Sequence, residues 1–278
     1  MASINTNLQA ITALQSLNSI QSNLQTTQSR ISTGLKVQDA RDNAAYFSLA
    51  STMKGDAGVF NAVRDNLAIV GASVGTARIG SEKIQASVQE IKNQIAAATA
   101  DKAVDKTKFQ FAIKAEVDKI KNVLDNTSFN GQNLLKASTA VTVVTGISRE
   151  GATYGTTTFT YNQQDLSAVH TALAAIDVST AADPAALNTL LQTADTQLAL
   201  VTKAATELGS AENTISGAKD FVGKLIDNIN VGVGAIVDAD MNQEAARLQA
   251  LQVQEQLAMQ SLSIANKAPQ SILSLFRG

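Results

Sequence analysis

Two long stripes of apolar residues at alternating spacings of three and four constrain this chain more than any other feature. The first runs Tyr46, Leu49, Met53, Asp56, Phe60, Val63, Leu67, Val70, Val74, Ala77, Ser81, Ile84, Val88, Ile91 and Ile95. All but Asp56 and Ser81 are apolar, counting Ala. The second runs from Leu187 through Leu191, Ala194, Leu198, Val201, Ala205, Leu208, Glu212, Ile215, Lys219, Val222, Ile226, Ile229 and Val233 to Ile236, with only Glu212 and Lys219 polar. Heptad stripes of this length predict coiled-coil-like packing of long helices. Each spans roughly 75 Å at 1.5 Å per residue, so the two can lie side by side throughout. Asp183-Pro184 starts the second, since Asp caps helices well and proline is tolerated in a first turn. Glycines 55, 58, 71, 75 and 80 lie inside the first. Each costs roughly 0.5–1 kcal/mol relative to Ala, which close approach to a neighbouring backbone is expected to offset.

Composition fits thin helical layers. Aromatics are 4% and Trp is absent, so large rings are scarce for filling a thick core. Only Pro184 and Pro269 interrupt helix formation. With 278 residues the length allows one large domain or two ordinary ones.

A shorter helix is expected from about Lys106 to Leu124, where Ile113, Val117, Ile120 and Leu124 repeat. Asn130-Gly131 signals a tight turn. Residues 139–161 change character: Val141 to Val144, then Thr157, Phe159 and Tyr161 at period two, predict a β-hairpin. A short helix is expected between Asp165 and Ile176.

The ends differ again. Ile4, Leu8, Ile11, Leu14, Leu17, Ile20, Leu24 and Ile31 form a narrow apolar stripe among Gln, Asn, Ser and Thr. Leu248, Leu251, Ala258, Leu262 and Ala265 form another, after a break at Asp238-Ala239-Asp240. Two thin helices with small side chains bury little area when paired. At about 25 cal/mol per Å² such a pair hardly offsets its conformational entropy. The ends are therefore expected to be poorly ordered in an isolated subunit and to need neighbouring copies.

Chemistry-bearing constellations are scarce. Formal net charge is −2, too weak a field to recruit nucleic acid or anionic lipid. No apolar run approaches 18 residues, so no membrane span is expected. The N-terminus lacks the basic-then-apolar pattern of a secretory signal. Zero cysteines exclude disulfides and thiolate metal sites. His170, the single histidine, has no partner arrangement around it and reads as an ordinary helix residue. Asp238 and Asp240 read as residues that interrupt the stripe and bend or cap the helix rather than as a carboxylate pair. Asn126-Thr127-Ser128 matches a glycosylation sequon but reads as a turn, and the threonines of 139–161 follow β propensity. No catalytic, cofactor-binding or metal-binding residues, and no cofactor, are expected.

The end sequences carry a resemblance to bacterial flagellins. Ile4-Asn5-Thr6-Asn7, followed by Ala10, Ala13 and Leu14, is similar to the family's N-terminus. So is Arg30-Ile31-Ser32-Thr33-Gly34-Leu35-Lys36 with Ala40-Arg41-Asp42-Asn43-Ala44-Ala45. Phe129-Asn130-Gly131-Gln132-Asn133-Leu134-Leu135 resembles the family's F-N-G-x-x-L-L turn. Asp238-Ala239-Asp240, Ala265-Asn266-Lys267-Ala268-Pro269-Gln270 and Ile272-Leu273-Ser274-Leu275-Phe276-Arg277 resemble its closing segments, and Gly232–Arg277 is most similar to alphaproteobacterial members.

The resemblance implies a mainly α fold: a long coiled-coil-like helical bundle with a small β-hairpin, both termini paired as an inner helical layer that lines a channel. It implies a terminal assembly domain of residues 1–44 and 237–278 and a bundle of residues 45–236. Only about 50 residues separate the Phe129 turn from Pro184, so the outer domains of larger members are absent. The implied function is a structural, self-assembling subunit of the filament, used in motility. The subunit would be secreted through the flagellar type III apparatus to the extracellular flagellum. Implied partners are further copies of the chain, an export chaperone, the filament cap and hook-junction proteins. The implied assembly interface is Ile4, Leu8, Ile11, Leu14, Leu24, Ile31, Leu248, Leu251, Leu262 and Leu273. The segment matching the family's immune-receptor motif is Gln89, Glu90 and Ile91, where Gln89 replaces the usual Arg. A hook–filament junction protein shares such ends, and an intracellular coiled-coil scaffold shares the composition. Neither accounts for this chain as well. The scaffold leaves the terminal motifs unexplained, and junction proteins have a longer middle.

Overall fold

A computed structural model of the chain describes residues 7–100, 106–150, 153–181 and 183–275. Its elements are α1 (Leu8–Thr33), α2 (Ala44–Ala100), α3 (Thr107–Asn126), β1 (Ala140–Glu150), β2 (Thr153–Asn162), α4 (Ser167–Ala174), α5 (Pro184–Val237) and α6 (Met241–Leu275). Two compact units result: Met1–Ala57 with Asp227–Gly278, and Gly58–Ile226. The limits expected at 44/45 and 236/237 coincide instead with the start of α2 and the end of α5. The units divide inside both helices, because Ala50 and Met53 of α2 and Ile229, Val233 and Val237 of α5 pack with Leu35 and Val37.

The Gly58–Ile226 unit is built on the two heptad stripes. Leu67, Val74, Ile84, Val88, Ile91 and Ile95 of α2 are buried in one cluster with Leu187, Ala194, Val201, Leu208, Ile215 and Val222 of α5. Ile113, Val117, Ile120 and Leu124 of α3 close the same core. Each buried Leu, Ile or Val among them contributes roughly 1.5–3 kcal/mol.

Of the polar exceptions on the stripes, Ser81 donates to the Arg78 carbonyl and Glu212 pairs across to α2. Glu212 accepts from Arg78 Nε at 2.6 Å, and Arg78 also reaches Glu82. Both carboxylates raise the Arg78 pKa, Glu212 more strongly. A Cβ on Gly75 would lie 3.2 Å from Glu212 Oε1, so glycine there leaves room for the ion pair. Gln85 donates to Thr202 and Lys92 to Asp195, tying α2 to α5 further along.

In its first turns α2 departs from the expected stripe. Tyr46 and Leu49 are exposed, and the buried positions are Ala50 and Ala57, one residue later. A straight helix drifts about 20° per heptad against a strict 3.5-residue repeat, so a stripe projected over so many turns loses phase at its end.

The turn after α3 grips α2. Phe129 and Gln132 exchange backbone hydrogen bonds of 2.9 and 3.0 Å. Between them Asn130 and Gly131 both take positive φ, 50° and 77°, as a two-residue hairpin turn of the primed type requires. Asn133 then donates to the Leu124 carbonyl and accepts from Leu135 N–H. This delivers Thr127 and Leu135, both buried, onto Gly80. A Cβ there would fall 2.5 Å from Thr127 Oγ1 and 2.9 Å from Leu135 Cδ1. Thr127 cannot turn away freely, since its hydroxyl donates to the Val123 carbonyl at 2.6 Å. What approaches the α2 glycines is side chains rather than backbone: Ile215 at Gly71, Glu212 at Gly75, and Thr127 and Leu135 at Gly80. None approaches Gly55 or Gly58, where a Cβ would meet nothing within 4 Å. Gly80→Ala is expected to lower stability by about 1–3 kcal/mol through overpacking. Gly55→Ala is expected to raise it by roughly 0.4–1 kcal/mol. Denaturant melts of the two variants check the sign; a stabilised Gly80→Ala contradicts the close approach.

Strands β1 and β2 pair antiparallel, Val141 opposite Tyr161 and Val143 opposite Phe159, with an irregularity between Val144 and Gly146. Val143 and Tyr161 enter the core, while Thr156, Thr158 and Thr160 are exposed. Helix α4 buries Val169 and Leu173. Gln110 of α3 holds the following loop by both ends of its amide, donating to the Ile176 carbonyl and accepting from Val178 N–H. Lys121 and Lys136 both donate to Asp125 and hold its carboxyl down to about 2, Lys121 more strongly.

Candidate assembly surface

The Met1–Ala57 and Asp227–Gly278 unit contains the terminal helices, and caps at their ends fix where they start and stop. Asn7 accepts from Ala10 N–H at 3.1 Å at the start of α1. Gly34, at φ 73°, ends it, its N–H reaching the Arg30 carbonyl at 2.8 Å; few residues but glycine take that conformation cheaply. Asn43 caps α2 by accepting from Ala45 and Tyr46 N–H. Asp240 caps α6 by accepting from Asn242 and Gln243 N–H at 2.9 and 3.2 Å. Asp240 thus has a structural role of the kind the sequence predicts.

A short backbone clasp sets the direction of both terminal helices. Lys36 N–H and Val37 N–H donate to the Val237 carbonyl, and Ala239 N–H to the Gly34 carbonyl. Leu35 and Asp238 thereby form an isolated antiparallel bridge. The segment leaving α1 is bound to the segment entering α6, and the two helices pack together from this point.

The seam between them is thin. Within α1 and α6 the described buried residues are only Thr27, Glu244, Leu251 and Ala265. Asn7 Nδ2 donates to the Ala265 carbonyl at 2.7 Å, and Gln21 Nε2 to Glu255 Oε1 at 3.4 Å. Arg30 Nη1 donates to Glu244 Oε1 at 3.2 Å, the carboxylate side chain only 8% exposed. Arg30 lies in the last turn of α1 and Glu244 in the first turn of α6. Each charge therefore also complements its own helix macrodipole. Glu244 Oε2 is buried without a hydrogen-bond partner.

The expected interface residues divide into two groups. Leu8, Ile11 and Leu14 are exposed, Leu8 by 76%. Leu24, Ile31, Leu248 and Leu262 are half-buried and Leu251 is buried. Ile4 lies outside the described residues, as does the side chain of Leu273, whose backbone belongs to α6. An open groove between the helices is lined by Leu8, Thr12, Ala13, Ile20, Leu257 and Ala258. Val253, Leu257 and Ile264 add an exposed apolar face to α6, Ile264 by 70%, and Met259 is exposed on another side. Sequence reasoning missed that face, although Val253, Leu257 and Ile264 follow at four and seven. It also missed the burial of Glu244, which no local pattern signals.

What this arrangement can do is associate. Among the described residues of this unit, the apolar side chains on the outer faces of the two helices stand exposed with amides beside them. Of the receptor-matching segment, Gln89 is exposed, Glu90 is half-buried and accepts from Gln94 at 2.7 Å, and Ile91 is fully buried. Among the described residues no cluster of His, Asp and Glu could hold a metal ion, and no helix is long and apolar enough to cross a membrane.

Known proteins are similar to this chain in sequence. Residues 4–140 match the bacterial flagellin N-terminal helical region and residues 191–276 the bacterial flagellin C-terminal helical region. A flagellin of Brucella melitensis is 43% identical over 282 residues, covering all of both chains. Flagellin FljK of Caulobacter vibrioides is 36% identical over 280 residues, 99% of this chain and 98% of its own. Flagellin A of Rhizobium meliloti is 34% identical over 396 aligned positions, again covering both chains in full. With both terminal helical regions in place and matches that run end to end, the chain belongs to the bacterial flagellin family.

Proposed function

We propose that this chain is the repeating subunit of a flagellar filament, and that the outer faces of α1 and α6 are the surface through which copies join. The observation that carries this reading is the uncovered apolar side of the terminal pair: Leu8, Ile11, Leu14, Val253, Leu257 and Ile264 all face outward. Neighbouring copies would bury those residues and the groove between the helices, forming the inner helical layer of the polymer. Contact between unlike faces of identical chains generates a ring where the rotation closes and a helix of subunits where it does not, and the filament reading takes the second case. In this reading the polymer is extracellular. An export chaperone would shield the same apolar faces before assembly, and the filament cap and the hook-junction protein would contact the ends of the polymer. The Gln89-Glu90-Ile91 segment, without the guanidinium of the family's usual Arg, would engage an immune receptor weakly.

Seeded elongation followed by negative-stain electron microscopy tests the proposal. Wild-type chain is expected to extend short filament seeds. Leu257→Asp is expected to fail while keeping its helical circular dichroism, because Leu257 is 58% exposed in the subunit and supports no core. A folded wild-type chain that adds nothing to seeds would sink the filament reading. Normal growth by Leu257→Asp would remove the α6 face from the interface.

A further inference from the structure

We infer that Asn130-Gly131 is a deamidation site that the folded turn keeps closed and that unfolding opens. The site stands apart from the terminal surface and does not depend on the filament reading. Asn130 is the only asparagine of the sequence followed by glycine. Glycine carries no Cβ to hinder attack by its own backbone nitrogen on the preceding side chain. In that reaction the Gly131 nitrogen bonds to Asn130 Cγ and gives up its proton, and the side-chain amide leaves as ammonia. A five-membered succinimide results. Water then opens the ring at either carbonyl. One opening leaves aspartate at this position. The other leaves isoaspartate, in which the main chain runs through the former side-chain carbon.

Cover and hydrogen bonding do not protect the pair. Both residues are exposed. Among the described residues neither the Asn130 amide nor Gly131 N–H has a hydrogen-bond partner. Nearby Asn126 and Asn133 differ, since their amides donate to the Asn122 and Leu124 carbonyls. What guards Asn130 is torsion. Phe129 and Gln132 exchange two backbone hydrogen bonds across the turn, which holds Asn130 at φ 50° and Gly131 at φ 77°. In a primed turn of this kind the ψ of the first central residue is left-handed as well. Ring closure needs that ψ rotated far away, to lay the Gly131 nitrogen against the face of Cγ. The turn must therefore open before the bond forms.

The product decides whether the turn closes again. Asp-Gly suits a primed turn as Asn-Gly does, so the aspartate product refolds. Isoaspartate adds one carbon to the main chain between Phe129 and Gln132, and a two-residue loop no longer meets both hydrogen bonds. That turn seats Thr127 and Leu135 on Gly80, where even a Cβ lacks room. A chain left unfolded for long thus acquires a lasting defect where α3 hands over to the core.

Ageing the full-length chain in buffer, where circular dichroism shows it helical, and in urea tests the inference. Peptide mass and ammonia release follow the reaction. Conversion at Asn130 is expected to be at least about tenfold faster in urea, since opening the turn costs free energy only in the folded chain. Asn130→Gly, whose Gly-Gly pair also suits a primed turn, is expected to abolish most of the early ammonia release in urea, a readout that stands whatever the variant's fold. Returned to buffer, chain bearing isoaspartate is expected to melt below the unaged protein, and Asn130→Asp to melt with it. Equal rates in buffer and urea would overturn the guarding role of the turn. Ammonia release undiminished in Asn130→Gly would place the chemistry at other amides and sink the site. Isoaspartate chain that melts like the unaged protein would overturn the defect.

Discussion

A chain lacking residues 1–33 elongates no filament, while its Gly58–Ile226 unit melts as it does in the full-length protein. The two halves of this expectation rest on different cores. The cluster around Leu67, Ile84, Leu208 and Ile215 takes every member from Val63 to Ile226 and none from α1. Removing α1 leaves that cluster whole. The terminal pair is different. Few of its residues are buried, and burial of Leu251 contributes only roughly 1.5–3 kcal/mol. Ordering backbone costs about 1–2 kcal/mol per residue, so a helix as long as α1 is not held by this seam alone. Without α1, α6 loses the Asn7, Gln21 and Arg30 contacts, and Leu251 and Ala265 lose their cover. Seeded growth and a thermal melt by circular dichroism read both halves. Filaments from the truncated chain would show that α1 is dispensable to the polymer. A melt displaced by many degrees would show that α1 supports the larger core.

Arg30→Met is the second substitution with a large expected effect, and it acts on the terminal pair alone. It leaves the Glu244 carboxylate buried with neither oxygen paired. Removing one partner of a buried ion pair costs about 3–5 kcal/mol. Arg30 is itself 26% exposed, so roughly 2–3 kcal/mol is expected here. Adding Glu244→Leu removes the stranded charge and is expected to recover most of the loss. Glu244→Gln, which keeps an acceptor for Arg30, is expected to cost less than Arg30→Met. Hydrogen exchange of α1 amides near Arg30 measures the opening free energy of this segment directly. Protection unchanged in Arg30→Met would mean that the pair contributes nothing to holding α1 on α6.

Much of this architecture is legible in the chain because helical periodicity is a local signal. The stripe from Tyr46 to Ile95 and the stripe from Leu187 to Ile236 predict α2 and α5 nearly to their ends, and Asp183-Pro184 marks where α5 starts. The Asn130-Gly131 pair predicts its turn, because two successive residues of positive φ admit few other sequences. What periodicity cannot give is phase over long distances. Tyr46 and Leu49 continue the pattern on paper, yet Ala50 and Ala57 are the residues that turn inward. Nor does it give partners distant in sequence. Nothing around Glu244 announces that Arg30 will meet it, or that one of its oxygens will be buried unpaired. The reason Gly80 is glycine lies in Thr127 and Leu135, far along the chain. At the terminal surface the stripe identifies apolar positions but not which of them the subunit covers itself. Leu251 and Leu8 look alike in sequence and end at opposite extremes of exposure, because α6 packs on only one side of α1.

The unpacked glycines of the long helices have a mechanical consequence. Gly55 and Gly58 of α2 and Gly223 of α5 each have open space where a side chain would be, and each lies within about a turn of the place where its helix passes from one compact unit to the other. Elsewhere along α2 and α5, side chains interlock on the buried face and brace the backbone against flexing. At these turns Ala57, Val222 and Ile226 still pack inward, while the glycines leave the outer side bare and the backbone there is intrinsically more pliable. The backbone at Gly55, Gly58 and Gly223 is therefore held from its buried side alone.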